Sequence, residues 1–162
     1  MDHNPAFIWY EDLIAKPWYR GTDIQGRSPM NNLFMGEGFY LSWDAGTAYT
    51  YAILAAVKHH HGAVLKKYKL KPDLVFLDID SKRMKKIQNE IQNQAFGNIN
   101  LYIKPLIISL KNSGYNGIIS SKRSFGLLLF DPETATFIEE DFIGFFDTPP
   151  SDISSSLEFP IN

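Results

Sequence analysis

Acids and bases are segregated along this chain far more sharply than its net charge of −2 suggests. Residues 1–62 carry six acids and four bases, residues 63–126 twelve bases and four acids, and residues 127–162 eight acids and no base. Like charges gathered in a compact fold repel, so this pattern constrains which segments can be neighbours. Two arrangements satisfy it. Either the basic and acidic stretches lie side by side and neutralise, or the bases form a surface for an anionic ligand that the acidic end covers. The chain lacks the net basic balance and the recognisable motif of a nucleic-acid-binding domain.

Length and composition narrow the class. A chain of 162 residues, 44% hydrophobic and 21% charged, fits one folded domain and not a disordered segment. No apolar run reaches the length of a membrane-spanning helix, so no membrane partner is expected. Without cysteine there is no disulfide, no zinc ribbon and no thiol nucleophile.

Periodicity and punctuation predict an α+β domain over 1–147 and a flexible acidic, Pro/Ser-rich tail over 148–162. A short helix is expected over Ala6–Ala15, stopped by Pro17. Trp18–Thr22 reads as a strand, Asp23–Met35 as a loop and Phe39–Leu41 as a second strand. Asp44 caps a helix running to about His61, with Gly62 as its left-handed stop. Val64–Leu70 alternates with lysine, a strand with one wet face, and Leu74–Asp80 reads as a buried strand. Ser81 caps a lysine-rich helix with Met84, Ile87 and Ile91 at helical spacing. After a connection over Asn93–Asn100, Ile103, Leu106, Ile107 and Leu110 form an apolar stripe that Gly114 ends. Ile118–Ile119 and Leu127–Phe130 are further strands, Asp131–Glu133 is a turn, and Phe137–Ile138 starts a last strand.

Three segments carry a family resemblance. They are Tyr19-Arg20-Gly21-Thr22; Gly36-Glu37-Gly38-Phe39-Tyr40-Leu41-Ser42 with the helix bearing Ala48, Tyr51 and Ala52; and Gly114–Ile119 followed by Leu127–Pro132. Their order and spacing resemble the ADP-ribosyltransferase superfamily, including poly(ADP-ribose) polymerase domains, diphtheria-type toxins and RES toxins. The resemblance implies split β-sheets with flanking helices in a single domain, with NAD as substrate in the cleft. It implies transfer of ADP-ribose to a protein or nucleic-acid acceptor, or hydrolysis of NAD. A domain of this kind also resembles a toxin or effector, cytoplasmic or secreted into a host cell, with an antitoxin or immunity partner. A catalytically inactive nucleotide- or protein-binding module on the same fold is the alternative.

The resemblance assigns roles residue by residue. Arg20 matches the donor that anchors NAD, and its planar fork suits phosphate. Gly21 and Thr22 match the clamp on the nicotinamide amide. Tyr40 matches the stacking aromatic, which a cationic ring favours by roughly 0.5–2 kcal/mol. Ser42 matches a hydroxyl beside that pocket, and Gly36 and Gly38 shape the loop before the strand. Structural roles compete: Arg20 as a strand-end surface residue, Tyr40 as a core aromatic, Gly36 and Gly38 as turn formers and Ser42 as a helix cap. The glutamate that would stabilise an oxocarbenium-like ribose in the polymerase branch falls on Gly126. Glu37, Glu133 and Glu139 are the alternative acids. In the RES-like branch Ser120, Ser121 or Ser124 would act, although that branch's helical glutamate falls among Tyr49, Thr50 and Tyr51.

Two clusters invite a metal reading that geometry disfavours. His59, His60 and His61 are consecutive on a helix and point in different directions. Asp78 and Asp80 share a strand face, but Asp80-Ser81 is better explained as a helix cap.

Overall fold

The computed structural model describes residues 15–29, 38–79, 81–95, 100–120 and 126–148. In chain order they form β1 (Pro17–Asp23), β2 (Phe39–Leu41), α1 (Ala45–His59), β3 (Ala63–Leu70), β4 (Phe76–Asp78) and α2 (Lys82–Ala95). There follow α3 (Asn100–Asn112), β5 (Gly117–Ile119), β6 (Leu127–Leu129), a 3-10 turn (Pro132–Thr134) and β7 (Ala135–Gly144). The α+β class is the one the periodicities imply. The helix expected within 6–15 lies outside the described residues except for Ala15, as does the tail beyond Thr148.

The helix starts obey their capping chemistry. Asp44 Oδ1 accepts the Gly46 N–H at 3.0 Å and Oδ2 accepts the Thr47 hydroxyl at 2.7 Å, opening α1. Such a cap contributes about 1 kcal/mol. Ser81 Oγ accepts the Met84 N–H at 3.1 Å and opens α2 in the same way. The end of α1 differs from expectation. His60, not Gly62, takes the left-handed conformation at φ 57°, and its N–H returns to the Ala56 carbonyl. Gly62 instead lies where a Cβ would run into Phe142 and Ile24. Its missing side chain makes room for the start of β3.

Two small sheets result. One has the order β1-β3-β7, antiparallel throughout; the other has the order β2-β6-β5-β4, parallel only between β5 and β4. The lysines of β3 face the acids of β7, with Lys66 opposite Glu140 and Lys67 opposite Glu139. Here the basic and acidic stretches do lie side by side. The β4 strand is shorter than Leu74–Asp80. By contrast β7 is ten residues long, where sequence marks only its start.

Side-chain alternation builds the layers. On one face of the β2-β6-β5-β4 sheet, Tyr40, Leu128, Ile118 and Leu77 pack with Met84 of α2 and with Leu106 and Leu110 of α3. On the other face, Leu41, Leu127, Leu129, Ile119 and Phe76 meet Trp18, Tyr68 and Leu70 of the three-stranded sheet. The opposite face of β1 is covered by α1. Among the described residues no helix is long and apolar enough to cross a membrane.

Candidate functional site where two strands part

The two sheets touch through one backbone pair. The Tyr19 N–H donates to the Ser42 carbonyl at 2.7 Å, and the Ser42 N–H donates to the Tyr19 carbonyl at 2.8 Å. This is an isolated antiparallel bridge. Continued pairing would set Gly21 opposite Tyr40, but among the described residues the ladder does not extend past the bridge. Past the bridge the Arg20 side chain, not the β1 backbone, takes the Tyr40 carbonyl.

Gly21, itself buried, turns its backbone toward the β2 side by strand parity. Tyr19 turns both its N–H and C=O away from β3, and two residues later the Asp23 N–H also turns away, to the Arg27 carbonyl at 3.0 Å. A strand repeats every two residues, so Gly21 presents its N–H and C=O to the same side. Among the described residues, no backbone bond from outside the β1–β3 ladder reaches either group. Its lack of a side chain has a separate cause. A Cβ on Gly21 would overlap the Ala48 carbonyl oxygen of α1. Glycine is required here so that α1 can lie directly on β1.

Arg20 stands at the rim between the sheets. Its Nη1 donates to the Tyr40 carbonyl at 3.2 Å, and its guanidinium lies 4.7 Å from the centre of the Phe39 ring. Phe39 in turn meets Tyr68 edge-on, with ring centres 5.3 Å apart. Burial lowers the Arg20 pKa, with Tyr68 and Tyr40 acting in the opposite direction. Among the described residues no carboxylate pairs with Arg20; the ion pairs are Arg27–Asp23, Lys67–Glu139 and Lys111–Asp131. A partly buried cation without a counter-ion is costly unless something anionic completes it.

The other expected site residues are placed less uniformly. Tyr40 is only 9% exposed and its ring belongs to the core, so it fills the core-aromatic role that competed with stacking. Thr22 is buried and donates to the Asp23 carbonyl at 2.8 Å, within its own strand. Ser42 is buried and engages both the N–H and the carbonyl of Asp44 at 3.1 Å, so its hydroxyl fixes the turn into α1 while Asp44 is the cap. A Cβ on Gly38 would press on the Leu128 side chain. Glu37, Gly36, Ser121 and Ser124 lie outside the described residues.

Position 126 has no room for the acid that the resemblance would place there. Gly126 has φ +78°, and a Cβ there would lie 2.7 Å from Cζ3 of Trp18. Trp18 is fully buried, so no glutamate fits at 126 without displacing the centre of the core. Glu139 sits on β7 beside Lys67, whose partner on β1 is Tyr19, so it shares a sheet face with Tyr19 and not with Arg20. Glu133 lies in the exposed 3-10 turn. Neither approaches Arg20 through any ion pair or hydrogen bond of the described residues. Ser120 is buried, with its Oγ unpartnered, and its N–H donates to the Gly126 carbonyl at 2.7 Å. Of the three serines it is the one inside the described fold next to Gly126.

Four further residues take part in this region. Phe39, Tyr68 and Trp18 read as ordinary strand apolars, and only register brings them around Arg20 and Gly126. The fourth is Asp23, a fully buried carboxylate whose oxygens accept the Arg27 N–H and Nε–H, both at 2.7 Å. The loop it anchors is also tied to the end of α1: Lys58 donates to the Pro29 carbonyl at 3.0 Å, and His59 Nε2 lies 2.9 Å from the Ser28 carbonyl. That contact gives His59 a packing role. A scan against protein-family models and searches of curated proteins and of solved structures return no match.

Proposed function

We propose that this chain binds NAD where β1 and β2 part and acts as an NAD-dependent ADP-ribosyltransferase or NAD glycohydrolase. The observation that carries this reading is Arg20, a partly buried guanidinium with no carboxylate partner among the described residues, next to the Gly21 backbone groups that turn away from β3. The pyrophosphate of NAD supplies the missing anion, and a guanidinium fork suits it. The outward N–H and C=O of Gly21 form a donor and acceptor pair that matches a carboxamide. Tyr40 contributes its carbonyl, which holds Arg20 in place, and its ring walls the site from the core side. The acceptor is a protein or nucleic acid, or water for hydrolysis.

Loss of nicotinamide creates positive charge on the ribose, which a carboxylate ordinarily stabilises. Trp18 over Gly126 supports a second reading, a binding module that holds a nucleotide without cleaving it. Nicotinamide release by the purified protein separates the two. Release that Arg20→Ala abolishes, and that Arg20→Lys restores only weakly, supports the enzyme. No release, with NAD still bound in calorimetry, supports the module. Neither release nor binding overturns both readings.

A further inference from the structure

The last strand is unusual for an edge. Ten residues long, β7 pairs among the described residues only with β3, and seven consecutive residues from Thr136 to Phe142 are exposed. Proteins ordinarily blunt an open edge by keeping it short or covering it. Here Phe137, Phe142 and Phe145 are 52%, 55% and 75% exposed, clustered along and just beyond the strand. Three acids, Glu139, Glu140 and Asp141, lie between the exposed apolar residues, and among the described residues only Glu139 has an ion pair, a loose one at 3.7 Å to Lys67.

Ladder parity fixes which backbone groups are offered. Because Tyr19 turns away from β3, its neighbour Arg20 bonds Lys66, and Lys66 therefore turns toward β1. Leu65 and Lys67 then turn toward β7, so their partners Asp141 and Glu139 face inward. Glu140 and Phe142 hold their N–H and C=O to the open side.

We infer that the free edge of β7 receives an extended, basic and apolar segment of a partner protein as an added strand. Main-chain hydrogen bonds to Glu140 and Phe142 would supply its register, and side-chain contacts its specificity. Charge decides between occupants. A second copy pairing antiparallel about Glu140 would place Glu139 against Asp141 and Glu140 against itself, and directly opposed like charges are destabilising. A strand with lysine or arginine opposite residues 139–141 and apolar residues opposite Phe137 and Phe142 satisfies both features.

The probe is a synthetic ten-residue peptide with three consecutive lysines flanked by valines, with a counterpart in which glutamates replace the lysines, followed by fluorescence anisotropy on the whole chain. The lysine peptide is expected to bind at least about tenfold more tightly. Glu140→Pro removes one outward N–H without touching the β3 ladder, a substitution that edge strands tolerate. It is expected to weaken binding by about tenfold or more while the unfolding midpoint holds. On the unsubstituted chain, the lysine peptide is expected to slow hydrogen exchange of the Glu140 and Phe142 amides, a readout that survives if Glu140→Pro fails to fold. Equal binding of the two peptides overturns the inference. So do undiminished binding by a folded Glu140→Pro variant, unchanged exchange at those amides, and a stable dimer in sedimentation whose own edge protects them.

Discussion

The indole of Trp18 occupies the space that a side chain at position 126 would need, with Cζ3 2.7 Å and Cη2 3.2 Å from an ideal Cβ. Trp18 is itself packed against Trp43, with ring centres 6.0 Å apart, so it has little room to retreat. Gly126→Glu therefore should not create an active site. With overpacking and a left-handed backbone combined, the expected cost is about 3 kcal/mol. A fall of about 6 °C or more in melting temperature should accompany it. A Gly126→Glu variant as stable as the parent would show that Trp18 does not hold this space.

Gly21 answers to α1 before it answers to any ligand. A Cβ there meets the Ala48 carbonyl oxygen and the Ala52 nitrogen, both backbone atoms that cannot rotate aside. Gly21→Ala is expected to lose at least about 2 kcal/mol of stability, read by urea unfolding. An unchanged midpoint would contradict the packing of α1 on β1.

Asp23 holds the loop after β1. Its buried carboxylate accepts two hydrogen bonds from Arg27, whose side chain is half exposed. Asp23→Ala leaves the Arg27 N–H without its acceptor, for a loss of about 1–3 kcal/mol. Amide exchange should accelerate over residues 24–29 first, since that loop reaches α1 through Lys58 and His59. Uniform acceleration across the fold would contradict a local anchor.

Tyr68 gives a pH signature. Burial raises its pKa above the ordinary tyrosine value, Arg20 opposes the rise and Glu140 adds to it. The folded chain thus keeps the phenolic proton after the unfolded chain begins to lose it. The sign follows: this contribution is whole below about pH 10 and is lost as pH rises toward the folded value. Unfolding free energy should fall more steeply in that range for the unsubstituted protein than for Tyr68→Phe. Parallel curves would show that Tyr68 titrates alike in both states.

Local signals were legible in the sequence and long-range ones were not. The Asp44 and Ser81 caps, the lysine alternation of β3 and the Gly114 stop at φ +93° follow from rules that operate within a few residues. The left-handed stop of α1 comes two residues before Gly62, and a left-handed histidine has no strong sequence mark. The length of β7 was hidden because Glu139, Glu140 and Asp141 interrupt its apolar pattern, and an edge strand exposed on both faces leaves no alternation to read. Arg20 and Gly21 stood out in sequence, but their surroundings did not. Phe39, Tyr68 and Trp18 gather there through the register of two sheets, which is set by pairings tens of residues apart. The core position of Tyr40 likewise depends on which sheet face α2 and α3 cover.

In the proposed site NAD lies where β1 and β2 part, against the backbone of Gly21 and the Arg20 guanidinium. The most direct measurement is a titration of NAD into isotope-labelled protein, following the Gly21 amide proton and nitrogen together with the Arg20 Nε–H. Both signals are expected to shift saturably and together, with Arg20→Ala abolishing the Gly21 response while the fold's other amides hold their positions. Saturable shifts elsewhere, with Gly21 and Arg20 unmoved, would contradict it.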